Sequence, residues 1–166
     1  MQGNTQQHEF VQLLNQHQAL IYKVCNLYGQ ETTDREDLFQ EIVVQLWKAY
    51  PRFRGESKFS TWLYRIALNT AISGLRKRKN HIASFEPENL PTEIQDETYN
   101  KEKELQLDQL YDAIRKLSEI ERALVMLYLE DRSYEEMEEI LGINQNNLRV
   151  KMNRIKEKIR KLIKPV

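Results

Sequence analysis

The chain has 166 residues, with 25 Lys/Arg balanced by 25 Asp/Glu, 30% charged residues and five glycines. That composition points to a soluble, helix-rich protein of one medium or two small domains, and away from a β-sandwich or a disordered chain. A single cysteine, Cys25, excludes an internal disulfide framework. No apolar run approaches the roughly 18 residues needed to span a bilayer. The polar start MQGNTQQHEF lacks the basic-then-apolar pattern of a signal peptide, so a cytoplasmic chain without membrane insertion is expected.

Zero net charge conceals a sorting by position. Residues 51–80 carry eight Lys/Arg and one Glu, residues 81–112 two Lys and nine Asp/Glu, and residues 149–166 eight basic residues and one acidic one. Two basic blocks around an acidic one suggest two polyanion-binding surfaces joined by a segment that avoids polyanions. Merely solvated helix faces would interleave the signs.

Phe10, Leu13, Leu14 and then Ile21, Val24, Cys25 and Tyr28 fall at helical spacing, which predicts one amphipathic helix over about 7–28. Cys25 lies on its apolar face and reads as a small buried hydrophobe. Thr33-Asp-Arg-Glu36 is a capping box opening a second helix, which stops at Pro51. Its apolar residues, Leu38, Phe39, Ile42, Val43, Val44, Leu46 and Trp47, are too many for one stripe, so it is buried on more than one side or has a partner. Asp34, Asp37 and Glu41 lie near one side of it and suit a basic docking partner better than a metal ion.

After the loop RFRGES, Ser57 is expected to cap a third helix that opens KFSTWLYRIALN and runs into Arg76-Lys77-Arg78-Lys79. The spacing puts Phe59, Trp62, Leu63, Ile66, Ala67 and Thr70 on its core face and leaves Thr61, Tyr64, Arg65, Leu68 and Asn69 largely off it, with Tyr64 displayed. Gly74 weakens it late. Aromatics interleaved with basic residues suit single-stranded or unstacked bases, each stacking contact contributing about 1–3 kcal/mol. Next, SFEPENLPTEIQDET has two prolines and five acids, the composition of a linker and a domain boundary.

The second half reads as helical throughout. Ser118-Glu-Ile-Glu121 and Ser133-Tyr-Glu-Glu136 are capping boxes flanking a short apolar helix. Ser133 to Leu141, the turn Gly142-Ile143-Asn144 and a helix from Gln145 to about Ile163 form a helix-turn-helix, with Asn144 as N-cap. Leu148, Met152, Ile155, Ile159 and Leu162 form the predicted buried stripe. Asn146, Arg149, Lys151, Asn153 and Arg154 face outward, Arg being suited to guanine and Asn to adenine in the major groove. Lys151, Lys156, Lys158 and Lys161 supply phosphate contacts in this reading. The alternative is an αα-hairpin with a solvated basic face. His8, His17 and His81 form no metal-ligand spacing, and there is no phosphate-cradling glycine loop, so neither an enzyme nor a cofactor or metal is expected.

These pieces, in this order, resemble the extracytoplasmic-function (ECF) group of RNA polymerase sigma factors, within the sigma-70 family. The likeness covers nearly the whole chain. DLFQEIVVQLWKAYPRFRGESKFSTWLYRIALNTAISGLRKRK, residues 37–79, is like the family's second conserved region, and LSEIERALVMLYLEDRSYEEMEEILGINQNNLRVKMNRIKEKIRKL, residues 117–162, is like its fourth. FRGESKFSTWLYRIALN is the most specific stretch.

The resemblance implies an all-α protein of two small helical domains: a region 2 domain over 1–80, an acidic flexible linker over 81–104, and a region 4 domain over 105–166 containing the helix-turn-helix. It implies a sigma factor that directs RNA polymerase to promoters by recognising −35 and −10 elements and melting the latter. Asp37, Gln40, Glu41 and Trp47 are thereby assigned to core polymerase. Phe53, Tyr64, Ile66, Ala67 and Asn69 are assigned to a pocket for a flipped −10 base, Trp62 and Arg65 to melted DNA, and Arg76, Lys77, Arg78 and Lys79 to its backbone. Asn146, Asn147, Arg149, Lys151, Asn153 and Arg154 are assigned to the −35 element, with Val150 and Asn153 at variable family positions. Promoter DNA, core polymerase and an anti-sigma factor are the implied partners of a chain that is monomeric when free. One departure is Glu138, where the family usually has alanine against the recognition helix; a Glu there has to swing outward or widen the packing. A two-domain regulator with a different N-terminal partner is the alternative, distinguished by core-polymerase binding.

Overall fold

Each apolar stripe can be buried only against another, and the helices settle into two groups that do so separately. The structure, a computed structural model, describes residues 2–81 and 101–163. The chain divides into two units, Met1–Glu86 and Pro87–Val166. Among the described residues there are α-helices and one 3-10 turn, and no strand.

The first unit contains α1 (Gln2–Gln16), α2 (Gln18–Tyr28), α3 (Thr32–Ala49), a 3-10 turn (Tyr50–Arg52) and α4 (Phe59–His81). Helices α2, α3 and α4 pack against one another. Ile21, Val24, Cys25 and Tyr28 of α2 meet Ile42 and Leu46 of α3 in the core they share with α4. At Gly29 the chain turns so tightly that a Cβ would lie 2.6 Å from Arg35 Cγ, and Arg35 Nε donates to the Gly29 carbonyl at 3.2 Å. Only glycine accommodates that approach.

The boundaries depart from the sequence expectation at three places. The predicted helix over 7–28 is two helices broken at His17, whose backbone leaves the helical region (φ −114, ψ 15). The break lets α1 turn so that Phe10 is buried between the rings of Trp47 and Tyr50, each 5.1 Å away. Helix α3 starts at Thr32, with Asp34 accepting the Glu31 N–H at 3.3 Å, so the Thr33–Glu36 box lies inside the helix. Helix α4 starts at Phe59, its first bond running from Trp62 N–H to the Lys58 carbonyl, which puts Ser57 one residue ahead of the cap position.

The core face of α4 is also corrected. Leu63, Tyr64, Ala67, Leu68, Ala71 and Ile72 are buried, with Tyr64 at 0% exposure. The helix is thus turned by about one residue, roughly 100°, from the predicted face. Thr61, Tyr64 and Leu68 go inward, while Trp62 and Ile66 move to the side that carries Arg65 and Asn69.

The second unit contains α5 (Lys101–Arg115), α6 (Glu119–Leu129), α7 (Tyr134–Leu141) and α8 (Gln145–Leu162). Helix α5 begins four residues ahead of position 105, where the second domain was expected to start; residues 82–100 of the expected linker lie outside the described residues. Leu148, Met152 and Ile155 of α8 join Ala123, Leu124, Leu127, Met137 and Ile140 in a core against α5, α6 and α7. Leu162, placed in the buried stripe from its spacing, is 41% exposed, because α8 runs past the helices that cover its start. Ser118 accepts from the Glu121 N–H and Glu121 accepts the Ser118 N–H, completing the first capping box, while Ser133 accepts from the Glu136 N–H, the N-cap half of the second. Gly142 closes α7 in the left-handed region (φ 71), open to glycine at little cost.

Candidate docking and nucleic-acid surfaces

Helix α3 presents one stripe to solvent. Asp37, Gln40, Glu41 and Val44 recur at three- and four-residue spacing and all are exposed, with Trp47 continuing the stripe at 42% exposure. Gln45 Nε2 donates to Glu41 Oε1 at 3.0 Å. The surplus apolar surface predicted for this helix is therefore real and outward, mixed with two carboxylates. Asp34, Asp37 and Glu41 form no metal cluster, and among the described residues no group of three His, Cys, Asp or Glu is placed to hold an ion.

Where α4 starts, rings gather. Phe53 lies 4.9 Å from Trp62 and 5.7 Å from Phe59, and Tyr50 lies 6.3 Å from Trp62. His17 packs on Phe59 at 4.8 Å and its Nδ1 lies 2.9 Å from the Leu13 carbonyl. Phe53, Trp62 and Ile66 are half-buried, with Arg65 and Asn69 exposed beside them. Five of the predicted −10 residues therefore share one surface. Tyr64 and Ala67 do not: both are at 0% exposure in the core, out of reach of any base on that surface. The side chains of Arg76, Lys77, Arg78 and Lys79 lie outside the described residues, although the backbone of α4 runs through them. Tyr50 was missed, although the spacing Tyr50-Pro-Arg-Phe53 before an aromatic helix was the available signal. Burial, with the Glu9 carboxylate, pushes its phenol above the ordinary value of 10.0, so it stays neutral.

On α8, Asn146, Asn147, Arg149, Lys151, Asn153 and Arg154 are all exposed, away from the Leu148–Met152–Ile155 stripe. Asn144 caps the helix through the Asn146 N–H at 2.8 Å. Glu138 swings outward, and its Oε2 accepts the Gln145 N–H at 3.2 Å, so the departure from alanine becomes a second cap on α8. Arg149 Nη1 donates to Asn146 Oδ1 at 3.2 Å, and its guanidinium carbon sits 5.1 Å from the Tyr134 ring centroid. Two of the expected phosphate contacts have partners within the protein. Lys158 Nζ bonds Glu121 at 3.0 and 3.2 Å, and Lys156 Nζ lies 4.6 Å from the Tyr128 ring centroid. Val150, expected only as a variable family position, is 49% exposed in the middle of the outward face, an apolar residue off the buried stripe.

A helical unit with an aromatic, partly basic surface and a solvent-facing stripe of acidic and apolar side chains, followed by a helix-turn-helix unit, defines a two-part DNA-binding protein. Residues 13–81 match the family Sigma-70 region 2, and residues 107–159 match Sigma-70, region 4. The chain belongs to the sigma-70 family, as an ECF-type RNA polymerase sigma factor, and its function is promoter recognition in transcription initiation. It is 33% identical to the ECF RNA polymerase sigma-E factor of Haemophilus influenzae, over 93% of this chain and 87% of that one. With the sigma-E factor of Escherichia coli K12 it shares 28% identity over 87% of this chain and 83% of that one. In fold it is similar to the sigma factor RpoE solved with the anti-sigma factor NepR from Bartonella quintana (TM-score 0.77, 21% identity, 93% of this chain and 96% of that one). CnrH, solved with the cytosolic domain of CnrY, gives a TM-score of 0.66 at 22% identity, covering 94% of this chain and 88% of that one. No helix among the described residues is long and apolar enough to cross a membrane.

Proposed function

We propose that three surfaces divide the work of this sigma factor. The outer stripe of α3, through Asp37, Gln40, Glu41 and Trp47, docks on core RNA polymerase; its carboxylates suit a basic partner and its exposed indole an apolar one. Phe53, Trp62, Arg65, Ile66 and Asn69 hold the separated strand of the −10 element, with Arg76–Lys79 contributing positive charge along its backbone. Helix α8 reads the −35 element through Arg149, Asn153 and Arg154, with Asn147 and Lys151 on the phosphates and Val150 available to a thymine methyl group. The protein acts in the cytoplasm without catalysing a reaction of its own. An anti-sigma factor that covers one or more of these surfaces is a further partner, a reading supported by the complexes solved for the two structural neighbours.

The observation that carries the −10 reading is the Phe53–Trp62 pair, 4.9 Å apart and half-buried, beside exposed Arg65 and Asn69. Rings held at a surface next to hydrogen-bonding and cationic groups are what an unstacked base needs. The test is transcription in vitro with purified core polymerase, with and without this protein, on a pool of genomic promoter fragments. Run-off transcripts only in its presence are expected. No transcripts, together with duplex binding in the absence of core, would sink the division of labour.

A further inference from the structure

Arg149 is exposed, yet its guanidinium has two fixed neighbours. One is the Tyr134 ring at 5.1 Å and the other is Asn146 Oδ1 at 3.2 Å. Tyr134 is the first residue of α7, directly after the Ser133 cap, and is half-buried. Its position relative to α8 is set by the Gly142 turn and by the bond from Gln145 N–H to Glu138. A long side chain on a helix surface loses rotamer freedom when it binds, and a platform that already holds it removes part of that cost.

The bond to Asn146 uses one of the five guanidinium donors and leaves the others for a guanine edge. It also occupies Asn146 Oδ1. Asparagine reads adenine with its amide oxygen and nitrogen together, so in this arrangement Asn146 braces Arg149 instead of reading a base.

We propose that Tyr134 is a positioning residue for base recognition: with Asn146 it holds the Arg149 guanidinium ready for a guanine in the major groove of the upstream promoter element. Sequence preference at that base pair then depends on an aromatic ring in the other helix of the motif. The proposal rests on the reading of α8 as the −35-reading helix.

Holoenzyme assembled from the full chain and purified core polymerase is used to select from duplexes randomised across the upstream element. Arg149→Ala identifies the base pair whose preference disappears. Tyr134→Leu keeps apolar bulk and removes the ring; preference at that base pair is expected to fall about two- to fivefold, the range of an exposed cation–ring contact. Tyr134→Phe keeps the ring and is expected to keep the preference. Asn146→Ala, at an exposed position, carries the same expectation as Tyr134→Leu and stands in for it should the leucine variant melt early. Tyr134→Phe also removes the hydroxyl that a phosphate contact would need, so affinity and preference kept in that variant set such a role aside. A loss equal on all sequences, a preference surviving both variants, or an Arg149→Ala holoenzyme with unaltered preferences overturns the proposal. Wild-type holoenzyme that selects no upstream sequence fails the reading of α8 itself, which separates the two failures.

Discussion

Lys158 Nζ lies 3.0 Å from Glu121 Oε2 and 3.2 Å from Oε1, joining the second half of α8 to the first turn of α6. The same carboxylate accepts the Ser118 N–H at 3.1 Å, so one side chain serves a helix cap and an interhelical ion pair. Burial pushes the Glu121 carboxyl up, but the hydrogen bond from Lys158, those from Ser118 and the Lys158 charge outweigh it and hold the group below its ordinary value of 4.5. A carboxyl depressed in the folded state contributes stability that is present above the unfolded-state pKa and lost as pH falls through the folded one. The window therefore opens below about pH 4.5. Lys158→Met is expected to cost about 0.5 kcal/mol at pH 7, as suits a pair with an exposed lysine, and to cost less as the pH drops below that window. Trp47 and Trp62 both lie in the first unit, so their fluorescence transition should stay put while the circular-dichroism transition moves. A shift of both would contradict a role confined to the second unit.

The same pairing separates lysines that look equivalent in sequence. Lys151 is exposed on the α8 flank, whereas Lys158 is committed to Glu121. Lys151→Ala should lower the slope of log affinity against log salt by about one for promoter DNA bound by holoenzyme. Lys158→Ala should leave that slope nearly unchanged. Equal slopes for the two variants would mean that the ion pair opens on DNA.

Two aromatic residues on α4, two positions apart, should fail in different ways. Tyr64 is at 0% exposure, and Tyr64→Ala is expected to destabilise the first unit by about 3–5 kcal/mol, read from tryptophan fluorescence in urea. Trp62 is half-buried at the surface ring cluster, and Trp62→Ala should leave polymerase binding intact while reducing the reactivity of unpaired thymines in the −10 region. Unchanged thymine reactivity would remove Trp62 from strand opening.

Core docking is tested on side chains with little structural duty. Asp37 and Glu41 are exposed on α3, and either alanine variant should weaken core-polymerase binding with the unfolding transition preserved. Binding at wild-type strength by both would move the docking face elsewhere.

Legibility in the sequence followed how local the determining interactions are. The helix-turn-helix was readable because Ser118, Ser133, Asn144 and Gly142 act within a few residues of themselves. The face of α4 was not. Apolar side chains surround that helix, so two stripes about one residue apart satisfy the same periodicity, and only packing against α2 and α3 selects the one containing Tyr64. The break at His17 has no proline or glycine to announce it; it serves the distant contact of Phe10 with Trp47 and Tyr50. Exposed candidates such as Asp37 and Arg149 stand where expected because polar side chains on amphipathic helices have only one direction to go. Their internal partners, Tyr134 for Arg149 and Glu121 for Lys158, come from other helices and leave no mark at sequence range.

Cys25 sits at 1% exposure in the α2 core, and burial pushes its thiol up to about 11. At neutral pH the reactive thiolate is then about one part in ten thousand, since each pKa unit is a factor of ten. An alkylating reagent has to wait for α2 to open before it finds sulfur. The rate of thiol modification in native buffer is thus a built-in clock for opening of the first unit, with no background from a second cysteine.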